Sequence, residues 1–227
     1  MKSLLLLHGA LGCKKQFNGL IDRLSASFDV HSIDFDGHGG SPTDIAFTMD
    51  RFGDNVESYL ASQNLKNIAV FGYSMGGYVA LSLAIKKPEL FSEIVTLGTK
   101  FHWTPEIAQR EIRMLNPSKI EEKIPQFAQY LNDLHRPADW KQVMEKTAEM
   151  MIDLGTSNSP TPNGISNVRL PVTIGLGDQD NMVTVEESKY AAQQLPNGRF
   201  VQLQNTPHPI AQVNVETLTE YILDHVS

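Results

Sequence analysis

Short apolar runs alternate with longer amphipathic stretches along most of this chain. The runs at 3–7, 29–34, 68–71, 93–97, 172–176 and 198–203 are bounded by glycine, proline or polar clusters. They are too short for stable helices and read as strands of a buried sheet. Stretches at 14–25, 49–63, 75–86, 185–194 and 213–225 carry their apolar residues at helical spacing. Strand and helix in regular alternation predict an α/β fold, a mostly parallel six-stranded sheet flanked by helices.

The rhythm breaks once. Between about 99 and 168 no strand pattern occurs, and helices are expected around 105–115, 120–134 and 138–154, punctuated by Pro117, Pro125 and Pro137. The expected organisation is a core of 1–98 and 169–227 with a helical insertion at 99–168. The stretch 155–167, rich in Ser, Thr, Pro and Asn, reads as the loop that returns to the sheet. Trp103, Trp140, Met114, Met144, Met150 and Met151 fall in the insertion and suit an apolar pocket wall that adapts its shape. Trp103, close to a strand end, is the expected substrate contact among them.

Composition narrows the partners. The 227 residues are 41% hydrophobic and 20% charged, with a formal charge of −7 and no basic cluster beyond Lys14-Lys15 and Lys86-Lys87. No nucleic-acid or anionic-membrane partner is expected from that balance. A single cysteine, Cys13, precludes an internal disulfide and fits a reducing compartment. Leu4 to Leu7 is too short for a signal peptide, and no run reaches the length of a membrane span. A cytoplasmic protein is expected; oligomeric state is not legible.

The strand at 68–71 enters Gly72-Tyr73-Ser74-Met75-Gly76-Gly77, and a helical pattern leaves it. A G-x-S-x-G turn between strand and helix lifts one hydroxyl out of a sharp corner. A serine hydroxyl needs a base and a carboxylate to become a nucleophile, and in a parallel sheet these come from loops at the carboxyl ends of strands. His208, between Pro207 and Pro209 after the last strand, is the candidate base. Of the other histidines, His31 reads as structural, His225 as solvent-exposed, and His102 and His135 could at most line a pocket. Asp180, in Gly177-Asp178-Gln179-Asp180, is the candidate acid, with Asp178 as runner-up. Backbone N–H groups of Met75 and of Ala10 (or Leu11) would form an oxyanion hole, and Leu11 would also touch substrate. His8 is expected to brace its loop by hydrogen bonds. The glycine-rich loop 34–41 lacks dinucleotide-binding spacing and reads as a tight polar loop at the site's rim. No metal motif occurs, and no cofactor is expected.

His8-Gly9-Ala10-Leu11-Gly12, the 34–41 loop, the Gly72–Gly77 elbow, Gly177 to Val183 and His208-Pro209 occur in one order. In these pieces the chain resembles the α/β-hydrolase superfamily across essentially its whole length. The resemblance implies a Ser74–His208–Asp180 triad, an oxyanion hole at Ala10 and Met75, and a helical cap at 99–168. It also implies a compact member that begins at the strand before the oxyanion loop, lacking the family's usual first two strands. Hydrolysis of small carboxylic esters or thioesters through an acyl-enzyme is the expected activity. The alternatives are a triad-dependent carbon–carbon lyase like the menaquinone-pathway synthase that eliminates pyruvate, and a non-catalytic binder of small ligands. That synthase typically carries an arginine just after the paired glycines, where this chain has Tyr78; Arg110, Arg113 and Arg136 of the insertion keep a carboxylated substrate in play.

Overall fold

Six parallel strands form one sheet in the order β2-β1-β3-β4-β5-β6. They are β1 (Lys2–Leu7), β2 (Phe28–Ile33), β3 (Ile68–Tyr73), β4 (Phe91–Leu97), β5 (Val172–Gln179) and β6 (Gly198–Pro207). The computed structural model describes residues 1–42, 44–156 and 164–226, so the returning loop expected at 155–167 lies partly outside the described residues. The helices are α1 (Asn18–Leu24), α2 (Met49–Ser62), α3 (Met75–Lys86), α4 (Pro105–Glu111), α5 (Pro117–Lys123), α6 (Pro125–His135), α7 (Trp140–Thr156), α8 (Val185–Gln194) and α9 (Val215–His225).

Side chains in a strand point alternately to opposite faces, and that period divides the core in two. Leu5, Leu7, Val70, Ile94 and Ile174 face α2, α3 and α8, while Leu4, Leu6, Ala69, Phe71 and Val95 face α1 and α9. Strands buried on both sides explain why leucine follows leucine in β1 without a polar interruption. Helix α3 is apolar nearly all round because it sits in the middle of one layer. No helix of the described residues is long and apolar enough to cross a membrane.

Several boundaries differ from the sequence pattern, each for a local reason. The stretch expected as one helix at 120–134 is two, because Ile124 before Pro125 takes extended φ and Pro125 opens α6. The stretch 14–25 begins as a 3-10 turn at Lys14–Phe17 before α1, and 105–115 likewise ends in one at Ile112–Met114. β5 and β6 continue past a register shift to pair Gln179 with Pro207. A proline is tolerated there because β6 is an edge strand. Among the described residues, α4 to α7 lie between β4 and β5, where no strand pattern occurs.

The strand order reverses between β1 and β3: the chain leaves β1 toward β2 on one side and leaves β3 toward β4 on the other. Loops at the carboxyl ends of these two strands therefore diverge and leave a crevice. The loop beginning at His8 and the turn at Ser74 sit at its two sides, since Leu7 pairs with Gly72.

Candidate active site

Ser74 is the only residue between β3 and α3, with φ 50° and ψ −114°. A serine in this region is strained and persists only where its surroundings fix it. β4 and its exit supply the fixing: Ser74 N–H donates to Leu97 O at 2.8 Å, and the Thr99 hydroxyl donates to Ser74 O at 3.0 Å. Glycine is required on both sides. A Cβ on Gly72 would stand 2.5 Å from Gly77 Cα, and one on Gly76 would stand 2.2 Å from Leu7 O. Met75 opens α3, so its N–H is one of those that the helix itself leaves without a partner.

His208 follows β6 directly. Its backbone carbonyl accepts a hydrogen bond from Tyr73 Oη at 2.8 Å, and its Nδ1 lies 2.7 Å from Asp180 Oδ2. The other Asp180 oxygen accepts from Met182 N–H at 2.8 Å and Val183 N–H at 2.9 Å. The carboxylate is thus almost wholly buried, its side chain 2% exposed, with its hydrogen-bonding capacity used. Asp178 has a different task, accepting from Thr206 N–H to tie β5 to β6. At the exit of β4, Gly98 has φ 64°, and a Cβ there would come within 3.2 Å of both Asp180 Oδ2 and His208 Nδ1. Because Tyr73 pairs with Leu97, Gly98 is the neighbour of Ser74 across the sheet. The imidazole–carboxylate pair therefore stands one strand end from the serine. Among the described residues, the Ser74 hydroxyl itself has no hydrogen-bond partner.

A second set of histidines shapes the loop after β1. His8 is fully buried; its Nε2 accepts from Phe35 N–H at 3.1 Å, so Nδ1 carries the proton and donates to Gly9 O at 2.8 Å. Burial pushes its pKa down to about 4. His38 and His135 are also fully buried and shifted down by desolvation. His38 Nδ1 bonds Asp36 O, while its Nε2 is buried without a partner among the described residues. His135, which the sequence suggested could at most line a pocket, is a core residue joining α6 to the loops after β1 and β2. His225, expected in solvent, is half-buried, its Nδ1 on Tyr221 O. Among the described residues no three His, Cys, Asp or Glu side chains gather where they could hold a metal ion.

Ser74 opens into a cavity of about 40 Å³ lined by Ala10, Met75, Tyr78, Trp103 and the α7 residues Met150, Met151 and Leu154. Trp103 and Ala10 are thus beside the serine. Leu11, with φ 57°, is not in this lining and packs against the Ile120, Leu131 and Trp140 cluster. A larger cavity of about 470 Å³ between α4 and α8 contains neither Ser74 nor His208. Lys100 borders both; its Nζ donates to Met182 O at 3.0 Å, with Glu111 and Glu187 carboxylates 3.7 and 3.8 Å away. Sequence reasoning did not single out Tyr73, Thr99 or Lys100 for the site. The only signal for them was position, next to the elbow or at the exit of β4.

A doubly wound parallel sheet with a strained serine between strand and helix, flanked by a histidine–carboxylate pair, defines a class. The chain belongs to the alpha/beta hydrolase fold family, whose sequence model matches residues 2–132. It is 23% identical to the uncharacterized hydrolase YugF of Bacillus subtilis, over 99% of this chain and 90% of that protein. It is also 23% identical to a pimeloyl-[acyl-carrier protein] methyl ester esterase of Aliivibrio fischeri, over 88% of this chain and 84% of that one. MenH from S. aureus shares the fold at a TM-score of 0.77, with 22% identity, covering 99% of this chain and 93% of that one.

Proposed function

We propose that this protein is a serine hydrolase of small carboxylic esters or thioesters. The observation that carries the reading is the Asp180–His208 hydrogen bond at 2.7 Å, one strand end from a serine held in a strained elbow. His208 takes the Ser74 proton as Oγ bonds to the substrate carbonyl carbon, and Asp180 stabilises the imidazolium. The carbonyl electrons move onto oxygen, where the N–H groups of Met75 and Ala10 receive them. The oxygen's electrons return, the bond to the leaving alkoxide (or thiolate) breaks, and His208 gives that group its proton. Water, deprotonated by His208, then attacks the acyl-Ser74 ester; serine regains its proton and the carboxylic acid leaves.

Cavity size supports a short acyl group. About 40 Å³ is far below the roughly 150 Å³ that admits benzene. An acetyl or propionyl group suits it, with helices α4 to α7 acting as the cap above the elbow. Charge argues for hydrolysis over the lyase reading. Arg110, Arg113 and Arg136 are exposed and absent from the Ser74 cavity, and Lys100, which does border it, already has the Glu111 and Glu187 carboxylates beside it. The experiment is turnover of p-nitrophenyl esters from acetate upward beside Ser74→Ala, which should lose on the order of 10⁶ in kcat. Labelling by a fluorophosphonate should follow the same pattern. A folded wild type that neither labels nor outpaces Ser74→Ala overturns the reading, and pyruvate release without ester turnover would replace it with the lyase.

A further inference from the structure

The loop after β1 is aimed by a chain of peptide groups that ends on a histidine from α6. Gly39 N–H donates to His135 Nδ1 at 3.2 Å, so the ring proton is on Nε2, which donates to Leu11 O at 3.1 Å. A planar trans peptide directs its N–H opposite to its C=O. Holding Leu11 O therefore sets the direction of Gly12 N–H in the same peptide, and that N–H donates to Gly9 O at 3.1 Å. Holding Gly9 O in turn sets the direction of Ala10 N–H. His8 Nδ1 bonds Gly9 O as well, so that carbonyl has two donors. Leu11 has φ 57°, a conformation that a leucine keeps only under external restraint. α6 cannot drift from this contact: the next residue's carbonyl, Arg136 O, would lie 2.7 Å from a Cβ on Gly40, and the His38 ring is 5.8 Å from that of His135.

We propose that His135 is a positioning residue for the oxyanion hole, aligning Ala10 N–H through the peptides Leu11–Gly12 and Gly9–Ala10. The proposal rests on the serine-hydrolase reading above. In it the helical insertion does more than wall the pocket, since it completes the geometry in which the acyl oxygen is stabilised.

Replacing His135 with Gln, Asn and Leu separates this role from packing. A Gln amide reaches the Nε2 position and keeps a donor on Leu11 O; an Asn amide reaches only the Nδ1 position and keeps the acceptor for Gly39 N–H. Expected with p-nitrophenyl acetate are a His135→Gln kcat within about threefold of wild type and losses of about 10- to 100-fold in kcat for His135→Asn and His135→Leu, with KM shifted less than about threefold. Thermal melting of each variant is measured alongside. Equal kcat for the Gln and Asn variants, or losses that simply follow the melting temperature, overturn the proposal. If His135→Leu does not fold, the Gln–Asn comparison decides alone. A wild type that labels with a fluorophosphonate while all variants keep full kcat overturns this proposal only. A wild type that does not label overturns the hydrolase reading, and this inference with it.

Discussion

Two aspartates compete for one histidine at the end of β5, and their hydrogen bonds give them different work. Asp180 spends one oxygen on His208 and the other on two backbone N–H groups, whereas Asp178 anchors Thr206. Under the proposed mechanism Asp180→Asn should lose on the order of 10⁴ in kcat, because an amide imposes the wrong imidazole tautomer. Asp178→Asn should stay within about tenfold of wild type, and steady-state kinetics on one ester would reverse the assignment if the order were inverted. The three buried imidazoles make a separate prediction about stability. Folded, they are neutral; unfolded, each takes a proton as pH falls through about 6.5. The unfolded state then binds more protons, so stability declines from about pH 6.5 until the folded pKa is reached, which for His8 is about 4. His8 alone corresponds to a loss on the order of 3 kcal/mol across that window. Urea midpoints measured between pH 7.5 and 4.5 should stay nearly level down to about pH 6.5 and fall below it, and a flat series would show that these rings are not held neutral. His208 and Asp180 were legible in the sequence because each follows a strand beside a turn residue. His135 was not: its partners are 124 and 96 residues away, and nothing in α6 marks one buried position as different from the next.

At the level of elements, the strands were the most legible feature, since a sheet covered on both faces writes itself as uninterrupted apolar runs. Their ends were less so. Gly177 and Asn205 read as loop, yet β5 and β6 stay paired past them as far as Gln179 and Pro207. Helix ends followed capping chemistry: Thr48, Thr104, Asn116, Thr184 and Asn214 each accept a hydrogen bond from a backbone N–H in the first turn. The elbow shows how two elements constrain one residue. A Cβ on Gly76 would meet the Leu7 carbonyl, and strand backbone cannot move aside as a flexible side chain would. Gly76→Ala should therefore push α3 from the sheet, costing about 1–3 kcal/mol in urea denaturation. Ester turnover should fall further than that instability explains, because Met75 N–H and Ser74 move with the helix. Retention of both wild-type stability and wild-type kcat would mean that the contact relaxes without displacing the turn.

For the molecule as a whole, the reversal of strand order between β1 and β3 places the crevice, and under the proposed function the helices between β4 and β5 decide what fits there. The alternation of elements made the first legible. The second depends on how α7 settles over the elbow, a packing outcome that a periodic apolar pattern leaves undetermined. The size of the space is therefore best tested by changing it. Met151 lines the Ser74 cavity but is only partly buried, so shortening it removes volume from the wall with little loss of core packing. Met150, on the same wall, is 4% exposed and belongs to the main core, where truncation would cost about 2–5 kcal/mol. Met151→Ala should accordingly shift the preferred p-nitrophenyl ester from acetate or propionate toward butyrate or longer. The added methylenes then enter the vacated space, each worth up to about 1 kcal/mol, or several-fold in kcat/KM. The ratio of kcat/KM for butyrate to that for acetate is the quantity to follow, because it cancels changes in the amount of active protein. A ratio that rises in Met151→Ala ties chain-length selection to α7. An unchanged ratio would place the acyl group outside this cavity, with the short-chain preference then set by some other wall of the crevice.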